Sequence, residues 1–501
     1  MNCRPTSKTV TRRFLLGALL STAATSALAK PPTRSIYPKL RPAKIRIAAA
    51  GSVTELIASS RLSGKIGFVV ADAISGEILE THNPKLALPP GSVAKTATTL
   101  YALNVLGAAH RFKTQIVITG PIENGRVKGD LYLLGGGDPT LDTDALGAFA
   151  KRLKEAGVRE ISGRAFVYSG ALPYSKSIDP GQPDHLGYNP SLSGLNLNYN
   201  RVYFEWKRSA DGYDVSMDAR AIKYRPRVAS VKIRVVNRKG PVFAFKSDGK
   251  IDSWTVSQNA LGRKGGRWLP VRHPGLYTAD VFHTLARSFG IQLPAFRVAK
   301  VRPKGTVVAQ WQSPNLAKIL RGMMKFSNNM TAETVGLTAT QRLGSRPANL
   351  KASGRRMAAW MKEKAGTKTA KFVDHSGLGD GSRVSADDLN RVLLTAGWNG
   401  SLHVLMKSIA VRGDDGKPLK NSPIKVRGKT GTLNFVSALA GYIEAPGGRK
   451  LTFAFFSADL VQRSKIPRAE RERPRGARAW RGRSKALQQS LIRRWVTTFD
   501  V

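Results

Sequence analysis

The distribution of apolar and polar positions changes character along this chain, and each change predicts an element. After a proline-rich, basic stretch from Lys30 to about Lys44, a helix-like pattern runs to about Ser60. Residues 66–71 and 78–81 are apolar-rich runs flanking Ser75-Gly76, which predicts a β-hairpin. Leu88-Pro89-Pro90-Gly91 stops the strand, and Ser92 is placed as an N-cap. From Val93 to Leu106 nearly every face is small or apolar, through Ala94, Ala97, Leu100, Leu103 and Leu106. A helix apolar nearly all round is buried on all sides, so this one is expected at the centre of a core, ending at Gly107.

From about Thr114 the texture becomes one of short strands and turns. Residues 116–119 and 130–134 read as strands around Asn124-Gly125, and β-like pieces at 202–206 and 231–236 follow. This predicts a β-rich inserted region of one or two domains at 113–302. Helical pattern returns at 316–324. Residues 436–443 and 451–456 predict a hairpin of long apolar strands around Pro446-Gly447-Gly448, and residues 486–495 an amphipathic terminal helix. Residues 463–485 carry ten Lys or Arg against two Glu. Pro467, Pro474 and Gly476 there predict an extended, solvated loop. The fold class expected is α/β (α+β).

Composition narrows the chemistry. A chain of 501 residues exceeds one core and suggests two or three domains. Its single cysteine, Cys3, excludes a disulfide framework, and no two histidines stand at zinc-ligand spacing, so neither a metal nor another cofactor is expected. Basic residues Arg4, Lys8, Arg12 and Arg13, a short apolar run at 14–24 and Ala27-Leu28-Ala29 form a three-part export leader over residues 1–29. Arg12-Arg13 leaves both the twin-arginine and the general secretory routes open. Loss of the leader lowers the net charge from +48 to +44. In an exported protein that charge points to anionic wall or membrane-surface polymers, or to a solvated surface without a partner, and not to nucleic acid.

Three short motifs carry chemistry. Ser-x-x-Lys occurs at Ser92/Lys95, Ser247/Lys250 and Ser422/Lys425, but only the first opens a helix, where Ser and Lys lie one turn apart on one face. A serine hydroxyl becomes a good nucleophile when a base takes its proton, and a desolvated lysine amine is such a base. Ser327-Asn328-Asn329 follows a predicted helix and offers a hydroxyl for proton relay and an amide for a substrate carbonyl. Lys429-Thr430-Gly431-Thr432 opens the apolar hairpin, where a glycine permits close backbone approach at a sheet edge. A phosphate loop at Gly428-Lys429-Thr430 is excluded, because Pro423 stands where its first glycine belongs.

In this order the motifs resemble the penicillin-recognising serine enzymes. The long gap between the first two is similar to that of the D-alanyl-D-alanine carboxypeptidase/endopeptidase family, the class C low-molecular-mass penicillin-binding proteins. Gly135-Gly136-Gly137-Asp138, Leu195-Asn196-Leu197-Asn198-Tyr199-Asn200, Ala332-Glu333 and Asp374-His375-Ser376-Gly377-Leu378 also resemble family segments, so the likeness spans about residues 65–460. The resemblance implies a β-lactamase/transpeptidase-like catalytic domain from residues 30–112 and 303–501. It implies catalytic roles for Ser92, Lys95, Ser327, Asn329 and Lys429, and substrate contacts from Thr430, Gly431 and Thr432. It implies peptidoglycan peptides as substrates, acylation by β-lactam antibiotics and a periplasmic location. Gly91 and His375 depart from the family's usual Ala and Gly. His375 is read as structural, with a catalytic base as the alternative. The acidic segment before residue 190 is reduced to Gln182-Pro183-Asp184-His185, leaving Asp184 as candidate for the substrate side chain. A serine β-lactamase and a non-catalytic wall-binding protein are the alternative functions.

Overall fold

The structure, a computed structural model, describes residues 52–500. The expected leader and basic linker lie outside the described residues. A six-stranded antiparallel sheet runs in the order Lys407–Ser408, Lys425–Leu433, Val436–Glu444, Lys450–Ala458, Lys65–Asp72, Ile78–His82. Its central strands are apolar on both sides and therefore need cover on both faces. The helix Ala477–Phe499 packs Leu487, Leu491 and Trp495 on one face, against Phe68, Phe453 and Phe455. On the other face lie Ala438, Ala440, Ala454 and Phe456, which meet the helix Ala94–Leu106 and its helical neighbours.

Ala94–Leu106 is buried from Ala94 to Ala102, and Gly107 ends it at φ +80°. The helix begins two residues later than the expected cap. Gly91–Val93 is a turn of 3-10 helix, and the Ser92 hydroxyl caps nothing, because it bonds to Lys95 instead.

Residues 113–312 build a separate core. A five-stranded sheet has the order Phe296–Val298, Ala165–Tyr168, Leu131–Gly135, Lys113–Ile118, Thr306–Gln312. Three three-stranded sheets accompany it: Gly212–Asp218, Arg201–Ser209, Lys264–Pro270; Val231–Val236, Asp252–Ser257, Phe243–Ser247; and the small Ile122–Glu123, Arg126–Val127, Glu160–Ile161. The β-rich expectation understates this region, which also holds the helices Thr143–Glu155 and Pro274–Ser288. Both carry start signals in the sequence: the Asp142 carboxylate accepts from the Ala145 N–H at 2.8 Å, and Pro274 occupies the first turn. Beyond the boundary expected at 303, one further strand joins the five-stranded sheet. Thr306–Gln312 pairs with Lys113–Ile118, and Ala309 joins the core of that sheet.

Residues 463–485 also differ from the expected loop. Two short turns lead to Gly476, and the terminal helix starts at Ala477, a full two turns before 486. Trp480 supplies the reason. It is buried against Phe435 and donates its indole N–H to the Ser63 carbonyl at 3.0 Å.

Candidate active site

The turn carrying Ser92 is pressed between two other segments. Gly91 has φ +50°, which an L side chain adopts only at a cost, and a Cβ there would lie 3.1 Å from the Thr432 nitrogen. A Cβ on Gly431 would lie 2.5 Å from the Pro90 carbonyl oxygen and 3.2 Å from the Ser92 nitrogen. Gly431 thus lets the serine turn approach the strand Lys425–Leu433 closely. Gly377, at φ +76°, closes the third side, where a Cβ would collide with the Gly91 carbonyl.

Lys95 lies one turn into the helix and is fully buried. Its Nζ is 3.0 Å from Ser92 Oγ, 2.7 Å from Asn329 Oδ1 and 2.9 Å from the Ser376 carbonyl oxygen. An ammonium donates to all three. A neutral amine donates to Asn329 and Ser376 and keeps one lone pair for the Ser92 proton. Burial pushes the Lys95 pKa down, while Glu333 and Asp374 pull it partly back. Those two carboxyls are buried as well. Glu333 accepts from the His375 and Ser376 N–H groups at 2.8 Å each, and Asp374 from those of Gly377 and Gly379. They hold the 374–379 loop against the serine turn.

Ser327 stands between the helices Leu316–Phe326 and Asn329–Arg342 in the left-handed region, φ +59° and ψ +33°. Its Oγ accepts from Lys429 Nζ at 2.9 Å. Lys429 also donates to the Thr430 carbonyl at 2.8 Å. Burial, with the positive charges of Lys95 and Lys407, lowers its pKa to about 6. Asn329 is fixed at both ends of its amide, since Nδ2 donates to the Tyr188 carbonyl at 2.9 Å. The short strand Lys407–Ser408 pairs only with Arg427 and Gly428, so among the described strands none covers the outer edge of Lys429–Leu433.

A cavity of about 280 Å³ opens over Ser92, Ser327, Asn329 and Thr432. Gln182 and Tyr188 from the inserted region line it, as do Arg463 and Arg471 from the basic stretch. Sequence reasoning missed these four. They sit far along the chain from the motifs, and no local spacing ties them together. Buried Arg272 holds the segment beneath Tyr188, donating to the carbonyls of Lys176, Asp184 and Asn189 at 2.8, 2.6 and 3.0 Å.

Asp184 does not join the cavity lining. Its carboxylate pairs with Arg468 at 3.1 Å, and both side chains are about half exposed. His375 is buried against Gly336 and stacks 6.4 Å from Tyr101. Its Nε2 is 2.7 Å from Ser353 Oγ, and burial lowers its pKa to about 3. It is a structural histidine.

Residues 49–473 match the D-Ala-D-Ala carboxypeptidase 3 (S13) family. This chain belongs to that family. It is therefore a serine peptidase of the D-alanyl-D-alanine carboxypeptidase type, with a mixed α/β penicillin-binding-protein fold. It is similar to the D-alanyl-D-alanine carboxypeptidase of Actinomadura sp. (strain R39), 27% identical over 487 residues, covering 86% of each chain. It is also similar to the D-alanyl-D-alanine carboxypeptidase DacB of Haemophilus influenzae, 24% identical over 83% of this chain and 90% of the relative. The crystal structure of penicillin binding protein 4 (dacB) from Haemophilus influenzae superposes with TM-score 0.70 at 20% identity, over 88% of this chain and 99% of that one. A second crystal of that protein holds a β-lactam.

Proposed function

We propose that Ser92 is the nucleophile of a D-Ala-D-Ala carboxypeptidase and/or endopeptidase acting on peptidoglycan stem peptides, and that penicillin acylates the same residue. Neutral Lys95 takes the Ser92 proton as Oγ attacks the carbonyl carbon of the penultimate D-Ala. The N–H groups of Ser92 and Thr432 stabilise the oxyanion, and the glycines at 91 and 431 allow those two amides to edge one point. The C–N bond breaks, and Ser327 relays a proton to the departing amine. Water then attacks the acyl ester with Lys95 again as base, and Ser92 is restored. Lys429 and the hydroxyls of Thr430 and Thr432 answer the terminal carboxylate. The observation that carries this reading is the buried Lys95 amine, shared between Ser92, Asn329 and Ser376. Ser92→Ala is expected to abolish labelling by a fluorescent penicillin and release of D-Ala from a Lys-D-Ala-D-Ala peptide. Undiminished labelling of that variant overturns the assignment.

The reading includes export by the leader at 1–29 to the periplasm, where peptidoglycan lies. Among the described residues no helix is long and apolar enough to cross a membrane. It also includes adhesion to anionic wall or membrane-surface polymers, supported by the net charge of +48.

A further inference from the structure

Three of the ten basic residues at 463–485 are engaged by partners within the fold. Arg463 bonds Asp380, Arg468 pairs with Asp184, and Arg471 donates to the Gly181 carbonyl at 2.9 Å. Another surface holds cations that face solvent without acids. In the sheet of Val231–Val236, Asp252–Ser257 and Phe243–Ser247, Lys232 and Lys246 both lie opposite Ser253. Two residues on, Arg234 and Ala244 lie opposite Thr255. Successive side chains take opposite faces of a strand. Val231, Ile233, Trp254 and Val256 are buried on the inner face. The outer face therefore carries the row Lys232–Ser253–Lys246 and the row Arg234–Thr255–Ala244.

Strands lie about 4.8 Å apart and the two rows about 7 Å apart, from ordinary strand geometry. The central strand thus offers two hydroxyls along the floor of a trough, with ammonium and guanidinium groups on its sides. A groove of about 800 Å³ follows this face, extended by Arg227 and Arg238, and no carboxylate lines it. Lys232, Arg234, Lys246 and Arg227 have no ion-pair partner among the described residues. Arg238 is anchored, donating to Thr255 Oγ1 at 2.8 Å and the Pro241 carbonyl at 2.7 Å. The groove shares no lining residue with the Ser92 cavity.

We propose that this groove binds a linear, phosphate-bearing polyanion of the cell envelope, giving the adhesion read from the net charge a defined surface. At the Lys232–Ser253–Lys246 row a tetrahedral phosphate accepts from the hydroxyl below and from ammonium groups on both sides at once, and at the next row Arg234 supplies the cation on one side, opposite Ala244. A planar carboxylate reaches fewer of them. Phosphates about 7 Å apart along a chain meet the two rows together.

The test compares three proteins: the unmodified chain, the groove variant Lys232→Gln/Arg234→Gln/Lys246→Gln, and a control, Arg473→Gln/Arg475→Gln/Arg478→Gln, in the basic stretch. All replaced side chains are exposed. Equal melting temperatures and penicillin labelling verify the folds. Probes are fluorescent inorganic polyphosphate, and vesicles of phosphatidylglycerol against phosphatidylcholine. Polyphosphate is expected to bind the unmodified protein and to weaken at least about tenfold between about 50 and 500 mM salt. The groove variant loses at least about tenfold at low salt, while the control stays within about threefold. All three release D-Ala from a small peptide at equal rates. A groove variant that binds normally overturns the groove assignment and leaves the adhesion reading standing. An unmodified protein that ignores every anionic probe overturns both. Binding of phosphatidylglycerol vesicles without polyphosphate overturns the linear polymer in favour of a headgroup surface.

Discussion

Lys429 is held near a pKa of about 6 by burial and two lysines, so most of it is neutral at pH 7.5 in the free protein. A substrate carboxylate beside it favours the ammonium, and its pKa rises on binding. Binding a D-Ala-D-Ala peptide to the Ser92→Ala protein at about pH 7.5 is therefore expected to take up close to one proton. Calorimetry in two buffers of different ionisation enthalpy reads this directly. A heat independent of buffer contradicts the contact. Ser327 gives a second residue-scale expectation. A non-glycine side chain in the left-handed region costs about 1–3 kcal/mol, and the hydroxyl aimed at Lys429 is what that conformation delivers. Ser327→Gly is expected to melt at the same temperature or higher, yet to acylate and turn over at least about tenfold more slowly. A variant that loses stability and keeps its rate argues that Ser327 is only a helix boundary.

The helix Asn329–Arg342 owes its seat to one glycine. A Cβ on Gly336 would fall inside the His375 ring, and both positions are buried. Gly336→Ala is expected to destabilise by about 1–3 kcal/mol or more, as overpacking does. His375→Gly in the same chain is expected to recover part of that loss, a coupling of about 1–3 kcal/mol in a double-mutant cycle by chemical denaturation. Strictly additive losses contradict the packing. This pair also shows what the sequence conceals. His375 looks like an isolated departure and Gly336 carries no signal of its own, and only the fold shows one making room for the other. The serine helix is different. Its small and apolar residues on every face state its burial outright, and Ser92 and Lys95 fall one turn apart by helical period. The terminal helix is legible only from 486 onward, because Arg478, Arg481 and Arg483 hide a start that Trp480 fixes through a contact with Ser63.

Across the whole molecule, short-range signals point to the motif residues and not to the walls around them. Of the residues those motifs name, Lys95 bonds both Ser92 and Asn329, at 3.0 and 2.7 Å, and Lys429 bonds Ser327 at 2.9 Å. Tyr188 and Gln182 arrive from the inserted region, carried by the Arg272 clamp, and Arg471 arrives from the C-terminal side. Asp184, selected because it is the acid in the right segment, pairs with Arg468 outside the cavity lining. Charge pairing across distant segments leaves no periodic trace, which is why a basic stretch reads as solvated when part of it walls the cleft. The step on which the proposed function turns is an acyl-serine intermediate at Ser92. Its most direct test is intact-protein and peptide mass spectrometry after brief exposure to penicillin and, separately, to a D-Ala-D-Ala thioester. The account predicts one covalent adduct per chain from each reagent, on the peptide containing Ser92, absent in Ser92→Ala and formed far more slowly in Lys95→Ala. An adduct on another residue, or one formed at full rate without the Lys95 amine, contradicts it.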